Sequence, residues 1–304
     1  MAFHIPESGY HFFEQTVRKV QILISKKVWG EIDKLAFDTW LRNFNTDEEK
    51  YFAAHLLDAL IFRSDKMINS SFFEIFYQTI PRILKYKGYV SLLDDYHEKL
   101  KIKEPYSIKF VTVEKDSPGA SGDLFIRNFK KSLRIHKSHI ISLAKAAEIV
   151  DQIDVLVFID DITGTGTQFS ACLNKVYGKK GQRLCEIYSE KLIIYCPLVG
   201  HTKALAKISK FPSVYVSPVE VLSDEHSFFY SKNGLFRDGI NSVSDALEFY
   251  KNIFISRGIK LSGPLGFKKQ ALTCFFSNAS VPNNSLPIFY YDEDEAKWKP
   301  IFRR

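Results

Sequence analysis

The 304-residue sequence lacks any apolar run long enough to cross a bilayer, which takes about 20 residues. Its first residues, MAFHIPESGY, show neither a basic start followed by an apolar stretch nor transit-peptide character. A cytoplasmic protein with no membrane attachment is therefore expected. Cysteine is scarce, and Cys172, Cys185, Cys196 and Cys274 share no metal-ligand spacing. That excludes a zinc-type cysteine cluster and leaves reduced, buried thiols as the expectation. Acidic residues are missing altogether between Leu124 and Ala147. What is abundant is apolar: 45% hydrophobic residues, with 26 Phe and 15 Tyr, argue for an ordered globular chain and against disorder. The net charge of +7 permits an anionic partner without identifying one.

Chemistry concentrates in Val155 to Gln168, VLVFIDDITGTGTQ. Val155 to Ile159 is a continuous, β-branched apolar run, the pattern of a parallel strand buried on both faces. Asp160 and Asp161 stand where that run ends, at the crevice where open α/β sheets bind ligands. Thr163, Gly164, Thr165, Gly166 and Thr167 follow; glycine lets the backbone approach an anion, and hydroxyls and amides donate to it. From Gln168 a helical spacing begins (Phe169, Ala171, Leu173, Val176), so the loop lies at a helix N-terminus, which favours phosphate.

A Walker loop needs a lysine after its last glycine, and Gly166 is followed by Thr167. A dinucleotide fingerprint needs a third glycine and an acid roughly 20 residues downstream, whereas here the acids come first. The segment instead resembles the phosphoribosyl-diphosphate motif of type I phosphoribosyltransferases. The plain alternative is a tight strand-to-helix turn with two solvated aspartates.

Around the motif the pattern is α/β. Residues 12–41 carry apolar positions at helical spacing, Thr46 with Glu49 forms a capping-box pattern before a face of Phe52, Leu56, Leu57, Leu60 and Ile61, and Ser71 with Glu74 repeats it. Pro81 predicts a kink or stop. Residues 1–100 read as a helical N-terminal region in which isolated His11 and His55 receive no role, and 86–103 as its charged connection. Residues 101–304 read as the core with a C-terminal extension. Strands are predicted at 108–113, 192–196, 214–216 and 271–276, and helices at 201–209 and 243–255, which makes a doubly wound, mostly parallel sheet. His201, starting a helix after a strand, is assigned a capping role ahead of a place in the crevice.

A second loop, Glu114 to Asp123, holds Gly119, Ser121 and Gly122 and is either an anion loop or an ordinary polar connection. Arg127, Lys130, Lys131 and Arg134 then fall at i, i+3, i+4 and i+7 on one helical face. This basic stripe borders the loop, contacts nucleic acid or is merely solvated. Asp292 to Glu295 could bind a metal but reads first as an exposed acidic loop, with Trp298 and Phe302 as anchors of the tail.

Taken together, the helical lead-in, Ser121-Gly122, FIDDITGTGTQF at 158–169, GPLGF at 263–267 and the terminal PNNSLPIFYYDEDEAKWKPIFRR resemble the phosphoribosyltransferase-like effectors of bacterial conflict systems, including those encoded beside retron reverse transcriptases. The resemblance implies a type I phosphoribosyltransferase fold, with Asp160 and Asp161 engaging ribose hydroxyls and the metal shell as the catalytic pair. It implies a 5′-phosphate cradled by Thr163 to Thr167, a diphosphate held at Ser121-Gly122, and Mg²⁺ carried by the ligand rather than ligated directly. It further implies an antiviral, toxic effector restrained by a reverse transcriptase with its multicopy DNA, sometimes beside a winged-helix protein; an oligomer is left open. Turnover, nucleotide sensing without turnover, and a nucleic-acid-associated subunit all remain open. One residue departs from the family pattern: Gln168 stands where Thr or Ser is usual.

Overall fold

The structure, a computed structural model, describes residues 3–113, 121–177, 181–236, 238–277 and 281–303. Among these the strands are β1 (Ile61–Arg63), β2 (Ile108–Thr112), β3 (Val155–Thr163), β4 (Val176–Tyr177), β5 (Gln182–Arg183), β6 (Leu192–His201), β7 (Val214–Val216), β8 (Glu220–Leu222) and β9 (Cys274–Phe276). Contacts group the chain into two units, residues 1–65 with 223–304, and residues 66–222. The sequence reading drew one boundary, after residue 100. The difference arises because the C-terminal segment packs with the first helices, while residues 66–101 pack with the sheet.

In the first unit, helices Phe12–Ser25, Lys34–Leu41, Asp47–Asp58 and Val243–Ile255 enclose an aromatic core. The helix expected over 12–41 is two helices. Lys27 turns the chain at φ 57°, and the Asp33 side chain accepts from the Leu35 and Ala36 N–H groups to start the second. Thr46 caps the next helix, accepting the Glu49 N–H at 3.2 Å. Glu49 reaches the Asn45 N–H and forms a half-buried pair with Arg257 at 2.8 Å, so the capping box is completed one residue early. Ile61, read as helical, instead opens β1, which pairs in parallel with β9. The tail is anchored as expected: the Trp298 and Trp40 indoles both donate to the Ile288 carbonyl, and Phe302 stacks on Phe275 at 4.3 Å.

The second unit is an α/β sheet in which β2, β3, β6 and β7 lie in that order, with β8 pairing the far end of β6. Every one of these pairings is parallel. Helices cover both faces. Leu156, Phe158, Ile193 and Tyr195 pack with Leu143, Phe169, Leu173, Ala204 and Ile208. On the other face Phe110 meets Phe129 of helix Ser121–Leu133, and Phe129 meets Phe72 of helix Asp65–Glu74. Pro81 does not stop its helix. A π turn at Ile75–Thr79, closed by the Ile80 N–H on the Ile75 carbonyl, absorbs the missing donor before helix Ile80–Tyr86. Ser71 is mid-helix, its hydroxyl on the Met67 carbonyl, and caps nothing. Within the charged connection, residues 96–101 form a short helix with Tyr96 and Leu100 buried. Cys172, Cys196 and Cys274 are buried, and Cys185 is partly exposed. No described helix is long and apolar enough to cross a membrane.

Candidate phosphate site

The apolar run extends further than its residue types predict. β3 continues through Asp160 and Asp161 to Thr163, and both carboxylates are 3% exposed. Strand alternation then sends them to opposite faces. Asp160 shares a face with Phe158 and Tyr195, because β6 pairs Phe158 with Tyr195. The Tyr195 hydroxyl donates to Asp160 Oδ2 at 2.7 Å, and its ring lies flat on Phe169 at 3.8 Å. Burial, then the Asp160 charge, push the Tyr195 phenol well above its ordinary range, while a hydrogen bond from Thr163 pulls the other way. Asp160, Thr163 and Tyr195 thus form a buried polar trio under the loop. The Asp160 carboxylate also accepts the Asp161 N–H at 3.1 Å, and the Asp161 carboxylate the Ile162 N–H at 2.8 Å.

Asp161 belongs to the face of Val157 and Ile159. Thr112, which pairs with Ile159 at the end of β2, lies there too, and its buried hydroxyl has no hydrogen-bond partner among the described residues. Gly122, in the first turn of helix Ser121–Leu133, is packed so closely that a Cβ would land on that hydroxyl. Glycine is required here by approach rather than by conformation. Of the candidate diphosphate loop, Ser121 and Gly122 are therefore set beside the end of β2, while residues 114–120, including Gly119, lie outside the described residues.

The loop itself turns on Gly166, at φ 67°, which is the N-cap of helix Thr167–Asn174 and offers it no side-chain cap. The Thr167 N–H is held by Thr165 Oγ1 at 3.4 Å, and with no side-chain cap from Gly166 the helix N-terminus still faces the loop, a place that favours an anion. The Thr165 hydroxyl donates to Thr167 Oγ1 at 3.1 Å. Lys207, on helix Thr202–Ile208, donates from Nζ to the same oxygen at 3.4 Å. That helix lies against the loop: a Cβ on Gly166 would meet the Ala204 carbonyl at 3.2 Å. The cation that the motif lacks in sequence is therefore delivered from the next helix but one. Gln168 is exposed in the first turn. His201 Nδ1 accepts the Lys203 N–H at 3.2 Å and caps that helix, as expected.

Tyr195, Lys207 and Thr112 escaped the sequence reading. A lone tyrosine in an apolar strand was visible, but nothing local pairs it with Asp160, and nothing in ALAKISK aims Lys207 at the loop. Of the basic stripe, Arg127, Lys131 and Arg134 are exposed, whereas Lys130 is half-buried and Arg134 sits just past the helix at φ 57°. The acidic run at 292–295 is tied into the tail by Asp294 to Lys297 at 3.0 Å and Glu295 to Arg303 at 3.3 Å. Among the described residues no group of three or more His, Cys, Asp or Glu could hold a metal ion. Asp160 and Asp161 offer two carboxylates at most, a number Mg²⁺ accepts when a ligand's phosphates and water complete its shell.

The family model PRTase-CE matches residues 37–304. No curated protein matches, and no solved structure matches.

Proposed function

The chain belongs to the PRTase-CE family, which is phosphoribosyltransferase-like, and from this we propose that it binds phosphoribosyl diphosphate or a related nucleotide in a type I phosphoribosyltransferase pocket. The observation that carries the reading is the Thr/Gly loop after β3, with its uncapped helix N-terminus at Gly166 and the Lys207 ammonium on Thr167. A 5′-phosphate would take the loop amides and the Lys207 charge. Gly122 and the start of helix Ser121–Leu133 would take the diphosphate. Asp161, together with the ligand's own phosphates, would hold Mg²⁺, which would supply charge neutralisation for the leaving diphosphate. As positive charge develops on the sugar, the Asp161 carboxylate would stabilise it in a water-poor site, with Asp160 held beneath the loop by Tyr195.

The resemblance of most of the chain to retron-associated effectors supports placing this chemistry in bacterial antiviral defence. The effector would be toxic when released from a reverse transcriptase with its multicopy DNA, with a winged-helix protein as a further partner. The test is a metabolite profile of cells expressing the chain with and without Asp160→Asn and Asp161→Asn. A nucleotide, diphosphate or cofactor lost only with intact aspartates names the substrate class; identical profiles, with the intact chain folded, overturn turnover. A second reading, nucleotide sensing without turnover, is favoured by Asp160, whose carboxylate is spent on Tyr195 inside the core. Under that reading ligand raises the unfolding temperature and no product forms.

A further inference from the structure

Next to the basic stripe, on the same unit, lies a pair of exposed rings. Helix Asp65–Glu74 packs on helix Ser121–Leu133: Ser132 Oγ donates to Asn69 Oδ1 at 2.7 Å, and Phe72 meets Phe125 at 5.0 Å. Phe72 is buried in this joint, and its neighbour Phe73 therefore points out, 46% exposed. One turn on, Tyr77 is 41% exposed. The two rings stack on each other at 5.7 Å with planes 8° apart, and Tyr77 also meets His97 at 4.6 Å. Lys131 of the stripe directly precedes Ser132, whose hydroxyl holds Asn69, four residues before Phe73, so the stripe and the rings flank one helix joint.

The charges on this surface are unspent. Lys101 pairs with Glu98 at 2.8 Å, but Arg127, Lys131 and Arg134 have no ion-pair partner among the described residues. Solvated stripes are usually laced with acids; the chain has none from Leu124 to Ala147. Arg127 and Lys131, four residues apart, are separated by about 6 Å along the helix, a spacing that suits one cation per phosphate. Exposed aromatic faces beside such a row are the means by which proteins hold unpaired bases.

We propose that this surface binds single-stranded nucleic acid, with phosphates on Arg127, Lys131 and Arg134 and bases stacked on Phe73 and Tyr77. An acidic protein would use the cations and leave the stacked rings without a role. A bilayer rewards protruding apolar side chains, whereas here each ring is pinned flat against another. The surface uses no residue of the phosphate pocket, so the two stand or fall separately.

The experiment is fluorescence anisotropy of labelled 20-nucleotide oligo(dT) and oligo(U) with the full chain, across a salt series. Binding should weaken with salt, with a log–log slope of about −2 for three phosphates contacted on single strands. Arg127→Ala/Lys131→Ala/Arg134→Ala should weaken binding and flatten that slope. Phe73→Ala/Tyr77→Ala should weaken it at least about tenfold at every salt concentration with the slope kept, and Phe73→Tyr should restore most of it. Because all five side chains are exposed, unchanged thermal unfolding checks that the variants are folded. The proposal is overturned if the ring variant binds as the parent does. It also fails if blunt duplex is preferred over both single strands, or if anionic vesicles of phosphatidylserine and phosphatidylcholine are bound and the oligonucleotides are not.

Discussion

Removing one oxygen tests whether the buried trio beneath the loop holds the end of β3. Tyr195→Phe keeps the ring that lies on Phe169 at 3.8 Å and deletes only the donor to Asp160 Oδ2 and the bond to Thr163. Asp160 is 3% exposed, so water does not replace the lost donor. A hydrogen bond to a carboxylate in such a place contributes about 1.5–3 kcal/mol. Taking about 2 kcal/mol, and about 2–4 °C per kcal/mol for a unit of this size, the thermal midpoint should fall by roughly 4–8 °C. Scanning calorimetry of the full chain measures it, read on whichever transition Asp160→Asn also moves. The two substitutions should couple: the double variant should cost about 1 kcal/mol less than the sum of the singles, because both remove the same bond. A midpoint shift under about 1 °C, or strict additivity, would refute the account.

Three further outcomes follow from single contacts. Lys207→Ala should weaken binding of inorganic phosphate or phosphoribosyl diphosphate by about tenfold, read by calorimetric titration, with folding unchanged because Lys207 is exposed; equal affinity would remove Lys207 from the pocket. His55 is buried among Phe12, Tyr51 and Phe236, and burial lowers its pKa from 6.5 to about 4, partly offset by Asp238 and Asp58. The unfolded chain then binds the extra proton, so stability is full above 6.5 and is lost as pH falls towards 4, by about 3 kcal/mol. His55→Phe should flatten the denaturation profile in that window, and an unaltered slope would count against a neutral His55. Gly122→Ala drives a methyl into the Thr112 hydroxyl, which should cost about 1–3 kcal/mol in chemical denaturation; Thr112→Ala in the same chain should recover most of it.

Local periodicity carried the α/β alternation. The β-branched run at 155–159, the strand at 214–216 and the helix at Val243–Ile255 all stand where their spacing predicts. What failed was anything decided by a neighbour far away in the chain. Asp160 and Asp161 read as the end of a strand because charged residues rarely sit inside one. They do sit inside β3, and Asp160 is tolerated there because Tyr195, thirty-five residues later, meets it with a donor. Strand alternation separates the two carboxylates, so a pair that looks like one bidentate tool in sequence is two, Asp160 under the Thr/Gly loop with Tyr195 and Asp161 on the face of Val157 and Ile159. Lys27 and Pro81 erred for a related reason: a left-handed residue broke one predicted helix and a π turn rescued another, and neither leaves a mark in apolar spacing.

The basic stripe shows where such reading stops. Four cations at helical spacing were legible, but a cation row means little until its acids are counted in space, and until what lies beside it is known. The fold answers both: three of the four charges stay exposed and without an acid among the described residues, and the packing of Phe72 into the helix joint forces Phe73 outward to stack on Tyr77. In sequence Phe73 and Tyr77 are two aromatic residues of an aromatic-rich segment, with nothing local to mark them as exposed. Their exposure is a consequence of which face the helix joint claims, and flat rings with unpaired cations are the two chemistries that the proposed single-strand binding would use.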